Sequence, residues 1–204
     1  MKVLITSGGM HVPIDSVRSL TNFSSGRFGC ELAEAFAQFG HEVTMFAQTG
    51  SKTPPGVWPQ NGVRVANYLT YDDYTGVCPF ILAEQPDLIL SAAAVSDYTV
   101  DPVHGKISTA GEIELTLRPT EKLLGNFRSC APNAKIVGFK LLVSPRYEEV
   151  YKAVNKQLQS GVDHVVYNDL TEMRKGNLKR LLFSKDMSWT AFTGAEELVK
   201  ILVS

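Results

Sequence analysis

Apolar residues recur along this chain in two rhythms, short unbroken runs and longer stretches that repeat every three to four positions. Lys2-Val3-Leu4-Ile5-Thr6 is a run of the buried-strand type, and residues 26–40 then place Phe28, Leu32, Ala35, Phe36 and Phe39 on one helical face. Ser24 or Ser25 stands where it can cap that helix, and Gly40 where it can end it. Glu42-Val43-Thr44-Met45-Phe46 predicts a second strand, Pro54-Pro55-Gly56 a surface loop, and residues 63–69 a third, alternating strand. Thr70 with Asp73 has the form of a capping box that opens a helix running towards Glu84, followed by the strand Leu88-Ile89-Leu90. Residues 135–139 predict another strand, and Tyr147, Val150, Tyr151, Val154 and Leu158 one face of another helix. His164-Val165-Val166-Tyr167 and Arg180-Leu181-Leu182-Phe183 read as the final strands, and a helix capped by Thr193 with Glu196 closes the chain.

Strands alternating with helices define an α/β fold: a Rossmann-like, mostly parallel sheet with helices on both faces, whose ligands bind beyond the carboxyl ends of the strands. Two segments interrupt the rhythm. The first strand ends in Thr6-Ser7-Gly8-Gly9, but the first helix begins only near Gly26, after an excursion through Pro13-Ile14-Asp15-Ser16-Val17-Arg18. Gly105-Lys106-Ile107-Ser108, a turn at Thr109-Ala110-Gly111 and the alternating residues 112–118 read as an inserted β-hairpin. A two-stranded hairpin is marginal alone, so Ile113, Leu115 and Leu117 need a cover. The chain's own helices are one candidate and a second protomer the other; we expect the second protomer, the flap over residues 105–118 forming an isologous contact.

At 204 residues, one domain spanning 1–204 is the default. A formal net charge of -1 with interspersed signs supplies no field for nucleic acid or an anionic membrane. No apolar stretch reaches the roughly 18 residues a membrane span needs, and residues 1–5 are too short for a signal-peptide core, so a cytoplasmic protein is expected. Cys30, Cys78 and Cys130 share no paired spacing and read as small apolar residues.

The chemistry gathers at strand ends. A helix start at Ser24-Ser25-Gly26 offers unpaired amides and the positive end of a dipole to an anion, the dipole alone contributing about 0.3–1 kcal/mol. Leu88-Ile89-Leu90 leads into Ser91-Ala92-Ala93-Ala94-Val95-Ser96-Asp97-Tyr98, where Ala93 and Ala94 let backbone approach a base or sugar. Asp97 suits a ribose hydroxyl or a magnesium ion on a triphosphate, and Lys106 can reach a triphosphate as a point charge. Phe139-Lys140 and Asn168-Asp169 follow two further strands. Each has a plain role too: turn closure for Asp97, solvation for Lys106, capping for the serines. Ala47-Gln48-Thr49 stands where a dinucleotide enzyme carries an acidic residue, which argues against a nicotinamide dehydrogenase. No Walker lysine motif, metal-ligand cluster or nucleophile elbow is present, and His11, His41, His104 and His164 are scattered.

In their order, Thr6-Ser7-Gly8-Gly9, residues 13–18, Thr21-Asn22-Phe23-Ser24-Ser25-Gly26, residues 93–98, Lys106-Ile107, Val137-Gly138-Phe139-Lys140 and Asn168-Asp169-Leu170 resemble phosphopantothenate–cysteine ligase of the DNA/pantothenate metabolism family. The resemblance runs over nearly the whole chain. It implies activation of 4'-phosphopantothenate by CTP, or by ATP, with Mg2+, then attack by L-cysteine on the acyl-nucleotide. Many bacterial members are fused behind a flavin-dependent decarboxylase, and a chain beginning at the synthetase strand looks like the stand-alone form without flavin. The resemblance gives Asn22 and Lys106 catalytic roles and assigns nucleotide binding to Gly8, Gly9, Ser24, Ser25, Gly26, Ala93, Ala94, Asp97, Phe139 and Lys140. Asp97 would also meet the nucleotide-bound magnesium. Arg18 and Asn168 would take phosphopantothenate across the interface of a homodimer. Ser108 departs from the common Lys-Ile-Lys pattern, Gln157 and Ser160 stand where lysines are frequent with Lys156 the closest cation, and Phe139-Lys140-Leu141-Leu142 lacks the glutamate of many relatives. A noncatalytic nucleotide-binding homologue of the same fold is therefore the second reading, and a nicotinamide or flavin oxidoreductase the third.

Overall fold

A computed structural model of the chain describes residues 1–204 with the exception of 57 and 61. Its elements in order are β1 (Lys2–Ser7), the short β2 (His11–Pro13) and β3 (Ser19–Thr21), α1 (Arg27–Gln38), β4 (Glu42–Gln48), β5 (Val63–Tyr68), α2 (Tyr71–Thr75) and α3 (Val77–Glu84). There follow β6 (Leu88–Ser91), β7 (Tyr98–Thr99), β8 (Arg118–Pro119), a 3-10 turn (Leu123–Asn126), α4 (Phe127–Cys130), β9 (Lys135–Leu142) and α5 (Tyr147–Leu158). The chain ends with β10 (His164–Asp169), α6 (Leu170–Arg174), β11 (Arg180–Ser184), β12 (Trp189–Phe192) and α7 (Ala195–Val203).

Eight strands form one sheet in the order β12-β11-β10-β9-β6-β1-β4-β5. From β10 to β5 every pairing is parallel, and only β11 and β12 add antiparallel strands at one edge. The chain winds outward from β1 through β4 to β5, then returns to the other side of β1 at β6. That reversal opens a crevice at the carboxyl ends of β1 and β6, as doubly wound sheets do.

Strand residues alternate between two cores. Val3, Ile5, Leu90 and Val137 meet Leu32 and Phe36 of α1 and Leu198 of α7, whereas Leu4, Ile89, Ile136 and Val165 meet Tyr74, Ile81, Phe127 and Val154 of the opposite helices. Burial on both faces is why these strands read as unbroken apolar runs. Each such Ile or Leu contributes about 1.5–3 kcal/mol.

Several local expectations need correction. Neither Ser24 nor Ser25 occupies the N-cap of α1, which is Gly26 at φ +71°; Ser25 instead takes the Arg27 N–H on its Oγ at 3.4 Å from one residue before the cap. A Cβ at Gly26 would lie 2.9 Å from the Ser51 Cβ, so position 26 admits only glycine. Gly40 does end the helix at φ +78°, its N–H on Ala37 O (3.0 Å) and that of His41 on Phe36 O (3.1 Å). The Thr70–Asp73 capping box forms, but the helix expected to reach Glu84 divides at Gly76 into α2 and α3. Gly194 caps α7 in place of Thr193, and Glu197 rather than Glu196 reaches back, accepting from Thr193 N–H at 2.8 Å. β12 lies beyond the strand expected to be last. Its first three residues are exposed on the sheet edge, which leaves no apolar run to read.

The segment from residue 100 to 117 is the largest difference. It forms no ladder of its own; its base is closed by the two-residue pairing of β7 with β8. Ile113, Leu115 and Leu117 remain 49%, 36% and 49% exposed. Among the described residues their side chains are only partly covered, so the alternating pattern has little packing to favour a hairpin.

Candidate active site at the switch between β1 and β6

Buried hydroxyls hold the ends of the two switch strands together. Thr6 is fully buried, accepting Ala92 N–H on its carbonyl (3.1 Å) and Ala93 N–H on Oγ1 (3.3 Å), while Tyr74 donates to the same Oγ1 at 3.2 Å. Burial raises the Tyr74 hydroxyl to about 12, above the ordinary phenol value, so it stays a donor. Gly8, at φ +97°, turns the chain and accepts Ala94 N–H at 2.8 Å. A Cβ on Gly8 would lie 2.7 Å from the Gln48 Cβ, so the turn admits no side chain. Gln48, at the end of β4 where a dinucleotide enzyme would present its acid, is thus buried packing.

Asn22 closes this floor. Its Nδ2 donates to Ala94 O at 2.8 Å, its carbonyl accepts Ser24 N–H at 2.8 Å, and a Cβ on Gly9 would meet that carbonyl at 2.9 Å. Gly8, Gly9, Asn22, Ala93 and Ala94 are therefore one cluster. Ser7 Oγ donates to Gly26 O at 3.1 Å, which seats the start of α1 on the end of β1, and Lys52 N–H on Ser25 O (2.9 Å) ties in the loop after β4. Ser24, Ser25 and Gly26 border the cluster at the first turn of α1, where Ser25 Oγ accepts Arg27 N–H at 3.4 Å and the N-cap itself has no side chain.

The excursion is a β-ribbon. β2 and β3 pair antiparallel, and Ile14 N–H on Arg18 O (2.8 Å) closes the tip. Asp15 sits in that tip with its side chain 0% exposed. Its Oδ1 accepts Val17 and Arg18 N–H, both at 2.8 Å, and its Oδ2 accepts Ile107 N–H and Arg18 Nε, both at 3.0 Å. Burial alone would raise this carboxyl, but the N–H bonds from Ile107, Val17 and Arg18, with the Arg18 charge, outweigh it and hold the pKa at about 2. Arg18 Nη2 also donates to Ile107 O at 2.7 Å. The guanidinium expected to meet substrate is thus largely engaged within the ribbon tip, where it fastens the segment that carries Lys106.

Lys106 is exposed on that segment. Asp97 is exposed and ion-paired with Lys122, and Thr120 holds its backbone through N–H on Asp97 O (3.0 Å). Phe139 stands one residue beyond the pair Ser91 with Gly138, edge-on to Phe28 with centroids 6.2 Å apart. Lys140 follows on the opposite face of β9. Asn168 lies two strands from β6, roughly 10 Å across the sheet at ordinary strand spacing, and so is not gathered with Asn22. Asp169 caps α6 through Thr171 N–H at 2.8 Å. The sequence offers Thr6 and Asp15 only as members of motifs and gives no signal for Lys122. The Asp15 and Arg18 spacing was the available signal, since opposite charges three residues apart meet in a tight turn.

Among the described residues no group of three His, Cys, Asp or Glu could hold a metal, and no helix is long and apolar enough to cross a membrane. The switch-point crevice and the glycine turn beside the start of α1 define a doubly wound α/β domain. The chain matches the DNA/pantothenate metabolism flavoprotein C-terminal domain over residues 1–192, and it belongs to that family. It is 32% identical over 172 residues to the coenzyme A biosynthesis bifunctional protein CoaBC of Methanocaldococcus jannaschii, covering 84% of this chain and 41% of that protein. With the human phosphopantothenate–cysteine ligase it shares 27% over 254 residues, 97% of this chain and 80% of the relative. The chain spans less than half the length of the CoaBC relatives from M. jannaschii and Thermococcus kodakarensis. A DNA/pantothenate metabolism flavoprotein from Streptococcus pneumoniae superposes with TM-score 0.86 at 24% identity, over 100% of this chain and 96% of that one. A Cab2 mutant in complex with phosphopantothenate-cysteine gives 0.82 at 23%, over 99% and 84%. These two likenesses concern the fold.

Proposed function

We propose that this domain is a phosphopantothenate–cysteine ligase, a cytoplasmic enzyme joining 4'-phosphopantothenate to L-cysteine through an acyl-nucleotide, with CTP favoured over ATP. The observation that carries the reading is the position of the Asn22 amide, bonded to Ala94 O between the start of α1 and the end of β6. A substrate carboxylate oxygen attacks the α-phosphorus of the nucleotide; an O–P bond forms and pyrophosphate leaves. The amine of cysteine then attacks the acyl carbon, a C–N bond forms, the C–O bond breaks, and the nucleoside monophosphate departs while the amine proton passes to solvent.

Position supports each proposed role. One N–H of the Asn22 amide is held by Ala94 O, and the other would be the donor to the charge developing on the acyl oxygen. Ser24, Ser25 and Gly26 offer backbone donors to phosphate, and Gly8, Gly9, Ala93, Ala94, Phe139 and Lys140 line the approach for the nucleotide. Lys106 and Asn22 stand at opposite ends of a three-residue ribbon, roughly 10 Å of extended chain, so they serve different parts of an extended ligand. Magnesium carried by the triphosphate would neutralise phosphate charge; one exposed carboxylate, Asp97, is enough protein ligand for such an ion once it leaves Lys122. Arg18, through the exposed part of its guanidinium, and Asn168 would face phosphopantothenate in a homodimer whose contact the flap over residues 105–118 supplies. Incubation with phosphopantothenate, cysteine and CTP or ATP should release pyrophosphate only when phosphopantothenate is present. Tight nucleotide binding with no turnover on either nucleotide would instead establish the noncatalytic reading.

A further inference from the structure

We infer that Asp15 is a positioning residue for Lys106, and that only a carboxylate can fill the place. This rests on the role proposed for Lys106.

Lys106 lies in a stretch without regular secondary structure, yet its backbone is bracketed. Before it, Gly105 is bonded twice to Ser16: Gly105 N–H on Ser16 Oγ at 3.1 Å, and Ser16 N–H on Gly105 O at 2.9 Å. After it, Ile107 gives its N–H to Asp15 Oδ2 at 3.0 Å and takes Arg18 Nη2 on its carbonyl at 2.7 Å. Further out, Val103 N–H on Ile14 O (2.9 Å) continues the contact. The residue between the two clasps is exposed, so the arrangement fixes the Lys106 backbone and leaves its side chain free.

Asp15 is the centre of this arrangement. Two backbone N–H groups converge on Oδ1, and a third, with Arg18 Nε and Nη2, on Oδ2. Every neighbour within bonding distance is a donor. A carboxylate accepts on both oxygens, whereas an asparagine must present an amide N–H to one of the two sets. At a fully buried side chain the mismatch cannot turn to water, and the set that loses its acceptor opens. If the Ile107 side opens, the bracket after Lys106 is lost; if the Val17 and Arg18 side opens, the ribbon tip loosens beneath it. A glutamate is one methylene too long for the same enclosure.

The test uses the full chain, with Asp15→Asn, Lys106→Ala, the double variant, and Ser16→Ala as a milder change that deletes one bond to Gly105. Pyrophosphate release with saturating nucleotide and phosphopantothenate reads the first half-reaction. Asp15→Asn should lower its kcat at least tenfold with the KM for cysteine unchanged, and Ser16→Ala should lower it a few-fold. The double variant should be no slower than Lys106→Ala, because both changes act through the same ammonium. Multiplying losses would mean that Asp15 acts elsewhere and would overturn the inference, as would wild-type kcat in Asp15→Asn. Amide exchange supplies a readout independent of activity. Ile107 N–H should lose protection in Asp15→Asn while β1 keeps it, and unchanged Ile107 protection would overturn the clasp. If the wild type releases no pyrophosphate with either nucleotide, the proposed function fails while the exchange result still decides the clasp.

Discussion

The Asn22 side-chain amide donates to the Ala94 carbonyl at 2.8 Å, joining residues 72 positions apart across the mouth of the switch between β1 and β6. A donor on Asn22 is required by that bond. Asn22→Asp keeps the size but sets an anion against the carbonyl, and it removes the N–H available to the acyl oxygen. Loss of one such donor costs on the order of 10²–10³ in rate elsewhere. Overall turnover should fall by about that factor, while pyrophosphate release from the first half-reaction persists and acyl-nucleotide accumulates or leaks, as quenched-flow assays would detect. An unchanged overall rate would remove Asn22 from the chemistry.

Asp97 and Lys122 form an ion pair whose side chains are 68% and 71% exposed. Such a pair adds little to stability, so Lys122→Ala should shift the unfolding free energy by no more than about 0.5 kcal/mol. If Asp97 serves the nucleotide, Asp97→Asn should raise the nucleotide KM roughly tenfold, a 1.4 kcal/mol effect, while Lys122→Ala should not weaken binding. Equal small effects from both would reduce Asp97 to a surface ion pair.

Ile113 and Leu115 are exposed on a segment whose alternating pattern demands a cover. In sedimentation equilibrium the chain should behave as a dimer, and Ile113→Glu with Leu115→Glu should shift it to the monomer. A wild-type monomer at micromolar concentration would sink the expected flap.

Asp15 predicts a pH dependence with a definite sign. Its folded pKa is held at about 2 against an ordinary 3.8, so the native bonds favour the ionised form. The stability they contribute is fully present above the ordinary value and is lost as pH falls from about 3.8 to about 2. Urea unfolding across that window should show the difference between wild type and Asp15→Asn shrinking with acid. A constant difference would mean the carboxylate is not the source.

Much of the architecture was legible in order, and the reason is burial. Val3-Leu4-Ile5 and Leu88-Ile89-Leu90 lie between two cores, so they carry no polar phase and read as interior strands. Thr70 with Asp73 announced its helix because a cap is a local bond. Gly194 was missed because Thr193 beside it has the commoner cap chemistry, and β12 because an exposed edge strand needs no apolar face.

The sequence by itself determined what depends on neighbours along the chain: the strand and helix alternation, the glycine turn at Gly8-Gly9, and the residue types at the strand ends. Only the tertiary structure decided which of those ends meet. It gathered Asn22 with Ala94 and left Asn168 two strands away; it turned Arg18 inward to Asp15 and Ile107; it left residues 100–117 without a ladder. Local patterns record the burial and backbone conformation of each residue, whereas sheet order and long-range hydrogen bonds set the distances between them. Chemistry at a shared site depends on those distances.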